Sequence, residues 1–454
     1  MIGLRVRPRP VALFAALALA LALFTAAWSP AHAEARPGKG KPPIPVIFVH
    51  GNFGSAQQFE TNAMRFTSNR YPHDRLFAYE YDTTGPRNEL AISNLDPFIA
   101  DVKAKTGAAQ VDILAHSRGT TVMHEYLRDP ERAASVRRYV NFDGRSAPEQ
   151  PGGVPTLAIW GEGDQTRQIG GAKNVYHPNK AHTEVTTSRE SFAAVYKFLT
   201  GKKPKTKNVR PERPNRVTVA GRATLFPANS GNDGALLEVY QLDSATGQRR
   251  PGGPLHSVPI GADGSFGPLA VHGKRHYEFA VSKPGAETIH NYPEPFERDD
   301  HFYRVQDSVA IRTLVESGPN HTSLAVLRMR EFWGDQTDRV NNDKLRFNGV
   351  NVITPGVAPR ARRVIAVFAF DKNSDQTTDT SESLFPFNQV SFLTGVDIYL
   401  PSSPDASGTI AIEERMRGKR RHRETINVPN WPSDQHGVSV YFKDYAAKTF
   451  RKRR

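Results

Sequence analysis

Hydrophobic positions between residues 44 and 200 follow two alternating spacings. Short apolar runs of strand type recur, and several are apolar at nearly every position, as in strands buried on both faces: IPVIFVH, RLFAYEY, QVDILA, VRRYVNF and VPTLAIW. Helical spacing lies between them, over roughly 88–105 and again from near Ser188, where Thr187 and Glu190 fit a capping box. This alternation predicts a doubly wound parallel sheet with helices on both faces.

The pattern changes after residue 200. The segment GKKPKTKNVRPERP, residues 201–214, has the composition of a basic, proline-rich linker. Only short strand-type runs follow it, and turn sequences such as SATGQ and GADGS separate them. We therefore predict all-β C-terminal domains, with a β-sandwich over 215–307, a second β-rich domain over 308–449 and a basic tail over 450–454.

The first 33 residues have the three parts of a signal peptide. Three arginines precede the apolar run VALFAALALALALFTAAW, and the small-residue sequence AHA follows as a cleavage site. We expect removal of residues 1–33, export of the chain, and a mature α/β domain over 34–200.

Composition limits the classes of partner. The chain has no cysteine, which excludes disulfides and thiol chemistry, and its net charge is +14. Residues 1–33 hold three of the arginines and no acidic residue, so the mature chain carries +11. Such a charge favours anionic membranes or cell-wall polymers as partners of the basic β domains. Nucleic acid is not expected, because the basic runs KKPKTK and RMRGKRRHR lack interleaved aromatic residues.

The sequence AHSRG places Ser117 between a strand-type run and a helical one. It is a G-x-S-x-G motif in which Ala115 replaces the first glycine, and Gly119 keeps the last position small. At such a corner the N–H of Arg118 begins a helix and points to where an oxyanion develops. The motif predicts Ser117 as a nucleophile that requires a base and an orienting acid.

A second motif is the His-Gly pair at the end of IPVIFVHGNFG. The loop after this strand would supply the other oxyanion donor, the N–H of Asn52. Gly51 permits the tight turn, and His50 is expected to support the loop and not to act as the base.

The base of such a triad follows the nucleophile in the chain. His182, in NKAHTEV, lies in a loop before the last helix of the α/β domain, whereas the rival His177 adjoins a strand-type run and precedes a proline. The sequence therefore predicts His182 as the base that accepts the proton of Ser117.

The acid remains open between two aspartates. Asp164, in the GEGD sequence, follows the second strand after the serine and is favoured by position, whereas Asp143, in NFDG, ends the first. Glu162 is a weaker third candidate. No metal and no cofactor are needed for this chemistry.

The motifs HGNFGSAQQFE, AHSRGT and KAHTEV together resemble those of the bacterial and archaeal α/β-hydrolase lipases. The size of the predicted α/β domain is similar to the minimal Bacillus-type lipases. NFDG and the β-rich C-terminal half look more like the Archaeoglobus-type lipases, and this resemblance implies Asp143 as the acid. The stretch LLEVYQLDSATGQ resembles transthyretin-like modules.

The resemblance implies a secreted lipase or carboxylesterase that cleaves acyl esters through an acyl-serine. Two alternatives remain: a short-chain or polyester esterase with the same triad, and a catalytically inactive protein that binds a surface or polymer. The sequence motifs do not contain the information that sets acyl-chain length.

Overall fold

The computed structural model describes residues 42–337, 339–419 and 422–446. The predicted signal peptide and the basic tail lie outside these residues. Among the described residues, no helix combines the length and apolar character needed to cross a membrane.

Six parallel strands form the first sheet, in the order β2-β1-β3-β4-β5-β6. They are β1 Val46–Val49, β2 Leu76–Tyr79, β3 Val111–His116, β4 Val136–Phe142, β5 Thr156–Trp160 and β6 Lys173–Tyr176. The helices of this part are α1 Glu60–Ser68, α2 Glu89–Thr106, α3 Arg118–Tyr126, α4 Pro130–Ala134, α5 Glu184–Thr187 and α6 Arg189–Thr200.

Alternate side chains of β1 are apolar and point to opposite faces of this sheet, so helices cover both faces. Val46 and Phe48 pack with α1 and α6, whereas Ile47 and Val49 pack with α2 and α3 on the opposite face. The arrangement confirms the predicted α/β-hydrolase fold. The α6 cap differs in detail, because Ser188, and not Thr187, accepts a hydrogen bond from the N–H of Ser191 at 3.1 Å.

The rest of the chain, residues 215–446, is called the C-terminal β region here. Among the described residues of this region there is one α-helix, α7 Val309–Arg312. Its strands are β7 Val217–Leu225, β8 Ser230–Gly231, β9 Leu236–Gln241, β10 His256–Pro259, β11 Ser265–Val271, β12 Tyr277–Ser282, β13 Thr288–Pro293, β14 Asp300–Asp307, β15 Leu324–Leu327, β16 Lys344–Phe347, β17 Val350–Asn351, β18 Ala366–Phe370, β19 Leu393–Asp397, β20 Thr409–Arg415, β21 Glu424–Pro429 and β22 His436–Tyr441.

One eight-stranded sheet crosses the sequence position at which two β domains were predicted to divide. Its order is β10-β9-β12-β13-β22-β15-β18-β19, and β13 pairs in parallel with β22 along its whole length. Smaller sheets are formed by β11-β7-β14, with β8 beside β7, and by β17-β16-β20-β21. Strand β13 belongs to the segment 215–307 and β22 to the segment 308–446, so the two segments share one sheet.

The predicted linker, residues 201–214, has no strand and no α-helix, but it is fixed against the end of α1. Asn69 donates to the carbonyl oxygen of Thr206 at 2.9 Å and accepts from its N–H at 3.0 Å. The N–H of Arg210 donates to Ser68 Oγ at 2.9 Å, and Val209 is buried. Composition indicated a spacer, but it did not show these contacts.

A buried carboxylate joins α1 to the segment after β22. Asp444 accepts a hydrogen bond from Thr61 Oγ1 at 2.9 Å. Burial raises the pKa of Asp444 to about 6, although the charge of Arg65 opposes this shift. An aspartate in an unfolded chain has a pKa of about 3.9, so folding favours the protonated form, and stability is lost as the pH rises from about 4 to 6.

We predict that Asp444→Asn raises the free energy of unfolding at pH 8 by up to about 3 kcal/mol, since a neutral amide carries no burial penalty of charge. The gain should become small near pH 4, where the carboxyl is protonated in the folded state and about half protonated in the unfolded state. Denaturant unfolding at both pH values measures this. Asp101→Asn, on the exposed face of α2, is the control; an equal gain for Asp444→Asn at both pH values would contradict the argument.

Candidate active site

Ser117 occupies a strained corner between β3 and α3. Its backbone angles are φ 51° and ψ −122°, which a residue with a side chain adopts at a cost of about 1–3 kcal/mol. A Cβ atom on Gly119 would lie 2.5 Å from the carbonyl oxygen of His50. Only glycine therefore lets α3 pass this close to the end of β1, and the corner directs Ser117 out of the sheet.

The His-Gly loop lies directly against this corner. A Cβ atom on Gly51 would come within 3.0 Å of the Cβ of Ser117, so the loop backbone is at van der Waals contact with the serine. The loop is held by a hydrogen bond of 3.0 Å from the Gly51 N–H to Gln58 Oε1. Across from it, the N–H of Arg118 is the first of α3 and has no acceptor within the helix. Asn52, in this loop, lines the same cavity as Ser117, and Arg118 follows the serine as the first residue of α3.

His182 and Asp143 form a short hydrogen bond. His182 lies in the loop between β6 and α5, and its Nδ1 is 2.6 Å from Oδ2 of Asp143 at the end of β4. The other oxygen, Oδ1, accepts from the Gly161 N–H at 2.8 Å and from Arg167 Nη2 at 2.9 Å.

Burial by itself raises the pKa of Asp143, but these neighbours outweigh it. The hydrogen bond and charge of His182, the Gly161 N–H and the Arg167 guanidinium lower the pKa to about 2. An ionised carboxylate only accepts hydrogen bonds, so Nδ1 of His182 carries the proton and Nε2 is left as the proton acceptor.

Asp164 does not reach His182 in this structure. It is exposed, and its Oδ1 accepts from the N–H and hydroxyl of Thr166 at 2.8 and 2.6 Å, within its own turn. Glu162 is directed elsewhere and pairs with Arg360 at 2.8 Å. The preference for Asp164 from its position finds no support in this geometry, because the loop after β5 turns outward, whereas the end of β4 faces the histidine.

His50 is buried beneath the His-Gly loop. Its Nδ1 lies 2.8 Å from the carbonyl oxygen of Gly51, and its ring stacks on Tyr81 at 4.4 Å. Burial lowers the pKa of His50 to about 4, so the ring is neutral above that pH. Its contacts are those of a residue that supports the loop. The rival base, His177, follows β6 and donates its backbone N–H to Trp160.

Ser117 and His182 both line a cavity of about 460 Å³. The C-terminal β region provides most of the other walls, and these are largely apolar: Phe226, Leu327, Met329, Ile365, Phe368 and Phe392. The Phe392 ring lies 5.5 Å from the His182 ring. Three further lining residues are unusually exposed for their type: Phe53 (47%), Val309 (54%) and Val390 (43%).

Comparison with known families agrees with this architecture. Residues 43–130 match the model of the class 2 lipases, and residues 215–309 match the model of the lipase C-terminal domain. The chain is a lipase-type hydrolase. It is a carboxylic ester hydrolase in which a C-terminal β region follows the α/β-hydrolase fold. Residues 310–446 of this region match the model of a further C-terminal domain.

Solved structures to which this lipase-type hydrolase is similar overlap with little more than a third of its length. They include lipase B of Aspergillus fumigatus (15% identity, TM-score 0.30, covering 38% of this chain and 56% of the Aspergillus chain). A carboxylesterase of Bacillus subtilis has 15% identity and a TM-score of 0.27, covering 36% of this chain and 86% of its own. A monoacylglycerol lipase of Paleococcus ferrophilus has 12% identity and a TM-score of 0.27, covering 35% and 96%.

The side chain of Arg118 is a feature of the site that the sequence did not predict. Its guanidinium donates to Oδ1 of Asn52 and Oδ1 of Asn88, both at 3.0 Å, and to the carbonyl oxygens of Thr83 and Arg87 at 3.1 and 2.9 Å. The sequence showed only that an arginine follows the serine. Through Asn52, the guanidinium connects the start of α3 to the His-Gly loop of this lipase-type hydrolase.

The C-terminal β region also supports the His-Gly loop. Asn229 Nδ2 donates to the carbonyl oxygens of Gly54 and Tyr81 at 2.9 and 3.2 Å. Asn229 and Gly54 are 175 residues apart along the chain, and no motif in the sequence indicates that they form a pair.

Proposed function

We propose that this protein is an exported serine hydrolase that cleaves lipid acyl esters, with Ser117 as nucleophile, His182 as base and Asp143 as acid. The observation that carries the proposal is the 2.6 Å bond between His182 Nδ1 and Asp143 Oδ2, beside a serine held at a strained corner. It leaves Nε2 of the imidazole as the acceptor for a hydroxyl proton at the cavity that Ser117 lines.

In the proposed acylation, Ser117 Oγ attacks the ester carbonyl carbon while His182 Nε2 takes the hydroxyl proton. The N–H groups of Asn52 and Arg118 donate to the oxyanion. The imidazolium then gives its proton to the alcohol oxygen as the C–O bond breaks, and the acyl group remains on Ser117. Water, deprotonated by the same histidine, attacks this acyl-serine and releases the carboxylic acid.

The size and lining of the cavity support a long-chain acyl group as substrate. An apolar chain gains about 0.8 kcal/mol for each methylene group it buries, so a cavity with mainly apolar walls favours long chains over short ones. Two small residues of the eight-stranded sheet, Ala325 on β15 and its paired residue Ser439 on β22, line this cavity and form what is called its floor here. A short acyl group would fill only part of this volume.

Export and surface binding rest on sequence features. The arginine-rich start, the apolar run and the AHA sequence support cleavage after residue 33, and the charge of +11 in the remaining chain supports attraction to anionic membranes or cell-wall polymers. The exposed apolar residues at the cavity support contact with a lipid surface.

A chain-length series of p-nitrophenyl esters, from butyrate to palmitate, tests the proposed function. Turnover that improves toward the longer esters is expected. An alkyl phosphonate should block this activity and appear by peptide mass spectrometry on Ser117. Hydrolysis that survives phosphonate treatment, or label found on another residue, would refute the assignment of the nucleophile.

Filling the floor of the cavity should shift chain-length preference. We expect Ala325→Phe to lower kcat/KM for the palmitate ester by about tenfold or more, because the new ring occupies space required by the acyl chain. The butyrate ester should be affected by no more than about twofold. Ala411→Phe, on β20 in a different sheet, is the control. Equal losses for both esters would argue against an acyl-binding role for this cavity.

A further inference from the structure

A carboxylate from the C-terminal β region reaches the chain segment that follows His182. Glu331 lies beyond β15 and is fully buried. Its Oε2 accepts from the N–H of Glu184 at 2.9 Å, and its Oε1 accepts from the N–H of Thr183 in a short hydrogen bond. One side chain therefore binds the first two N–H groups after the proposed base.

The same segment is held from the other side by the nucleophile motif. Nε2 of His116 lies 3.0 Å from the carbonyl oxygen of His182. Burial holds the pKa of His116 well below its usual value, so its ring is neutral and its Nε2–H donates to this carbonyl. Both polar groups of the peptide bond between His182 and Thr183 are thus held: the carbonyl oxygen by His116 and the N–H by Glu331.

Two arginines of the C-terminal β region complete the contact. Arg417 Nη2 and Arg330 Nε pair with the side chain of Glu184 at 2.5 and 3.1 Å. Arg417 also binds the carbonyl oxygen of Glu331 and, at 2.8 Å, the buried carboxylate of Asp343. Glu331 is consequently anchored in its own region, and its carboxylate is a rigid acceptor pair and not a mobile surface group.

We infer that Glu331 is a positioning residue for ester hydrolysis: it sets the height of the His182 ring over Ser117 from outside the hydrolase fold. The inference rests on the proposed function of His182 as the base. A carboxylate that binds two consecutive N–H groups fixes both the translation and the tilt of that peptide segment. A displacement of the base by about 1 Å can cost about 100-fold in rate.

Variants of Glu331 test this role with a short soluble ester, p-nitrophenyl butyrate, and the full-length protein. Glu331→Gln keeps the size of the side chain but presents an NH₂ group to one of the two N–H donors. We expect kcat to fall about 10-fold to 100-fold, with KM changed by less than about twofold, since the acyl cavity is untouched. Glu331→Asp keeps the charge, shortens the reach and should give a smaller loss of kcat.

Asp371→Asn is the matched control. Asp371 is also fully buried and also accepts a backbone N–H, that of Gln376, at 3.1 Å to each oxygen. Its partners belong to the C-terminal β region, so its loss should lower stability without a selective loss of kcat. Melting temperatures of all variants identify the folded protein on which the kinetics are measured.

Wild-type kcat in folded Glu331→Gln and Glu331→Asp, or a loss no larger than that of Asp371→Asn, would overturn the inference. If Glu331→Gln does not fold, Glu331→Asp decides alone by the same criterion. These results are separable from failure of the proposed function. If the proposed function is wrong, the phosphonate does not label Ser117. If only the inference about Glu331 is wrong, Ser117 is still labelled and the wild-type protein still turns over the ester.

Discussion

Ser117→Ala is expected to lower kcat for a p-nitrophenyl ester by about 10⁴-fold or more. The change removes the only atom that forms the acyl-enzyme bond in the proposed mechanism. His182, the oxyanion donors and the cavity stay in place, so KM should change little and a small residual rate should remain. The backbone keeps its strained φ of 51°, so we expect little change in stability.

Ester turnover and a melting curve measure these two outcomes. Ser391→Ala provides a control, because Ser391 lines the same cavity and is exposed. Its activity should remain close to that of the wild type. Substantial turnover by Ser117→Ala would show that another group performs the attack.

The second large effect concerns Asp143. We expect Asp143→Asn to reduce kcat by about 10³-fold to 10⁴-fold. Oδ1 accepts from Gly161 and Arg167, so the amide oxygen of the asparagine will occupy that position and its NH₂ group will face His182. This orientation requires an unprotonated Nδ1, which moves the ring proton to Nε2 and prevents the histidine from acting as a base.

Asp164→Asn is the matched comparison, with the same loss of charge one strand further along the sheet. Because Asp164 is exposed and bonded to its own turn, we expect kcat within about twofold of the wild type. Steady-state kinetics of the two variants at neutral pH decide between the acids. Similar losses from both would remove Asp143 from its proposed role.

Sequence periodicity was sufficient for the first sheet because its signal is local. The runs IPVIFVH and QVDILA are apolar at adjacent positions, and the structure shows both faces of β1 and β3 covered by helices. The corner at Ser117 was likewise visible, since a small residue must stand where α3 passes β1, and Gly119 does so.

The choice between Asp143 and Asp164 was not local. Both follow strands and both precede or follow glycine, and position along the chain favoured Asp164, which has no contact with His182 in this structure. What separates them is backbone direction: Asp143 has a φ of 41°, whereas Asp164 closes a turn with Thr166. The resemblance carried by NFDG implied Asp143, the residue that contacts His182.

Contacts between the two parts of the chain were beyond any sequence pattern. Asn229, Glu331 and Arg417 lie in stretches that read as ordinary turns and basic loops, and each meets a partner more than 140 residues away. Charge composition suggested external anionic partners for the basic residues. Several basic residues also form internal ion pairs: Arg222 and Arg304 pair with the buried carboxylate of Glu80 at 2.7 and 2.8 Å.

The position of β22 has a consequence for biosynthesis. It is the last strand of the described chain, yet it lies between β13 and β15 in the middle of the eight-stranded sheet. A nascent chain cannot complete this sheet until residues 436–441 have left the ribosome. Synthesis that stops before residue 436 therefore leaves two open strand edges, and such a product should be prone to aggregation and proteolysis.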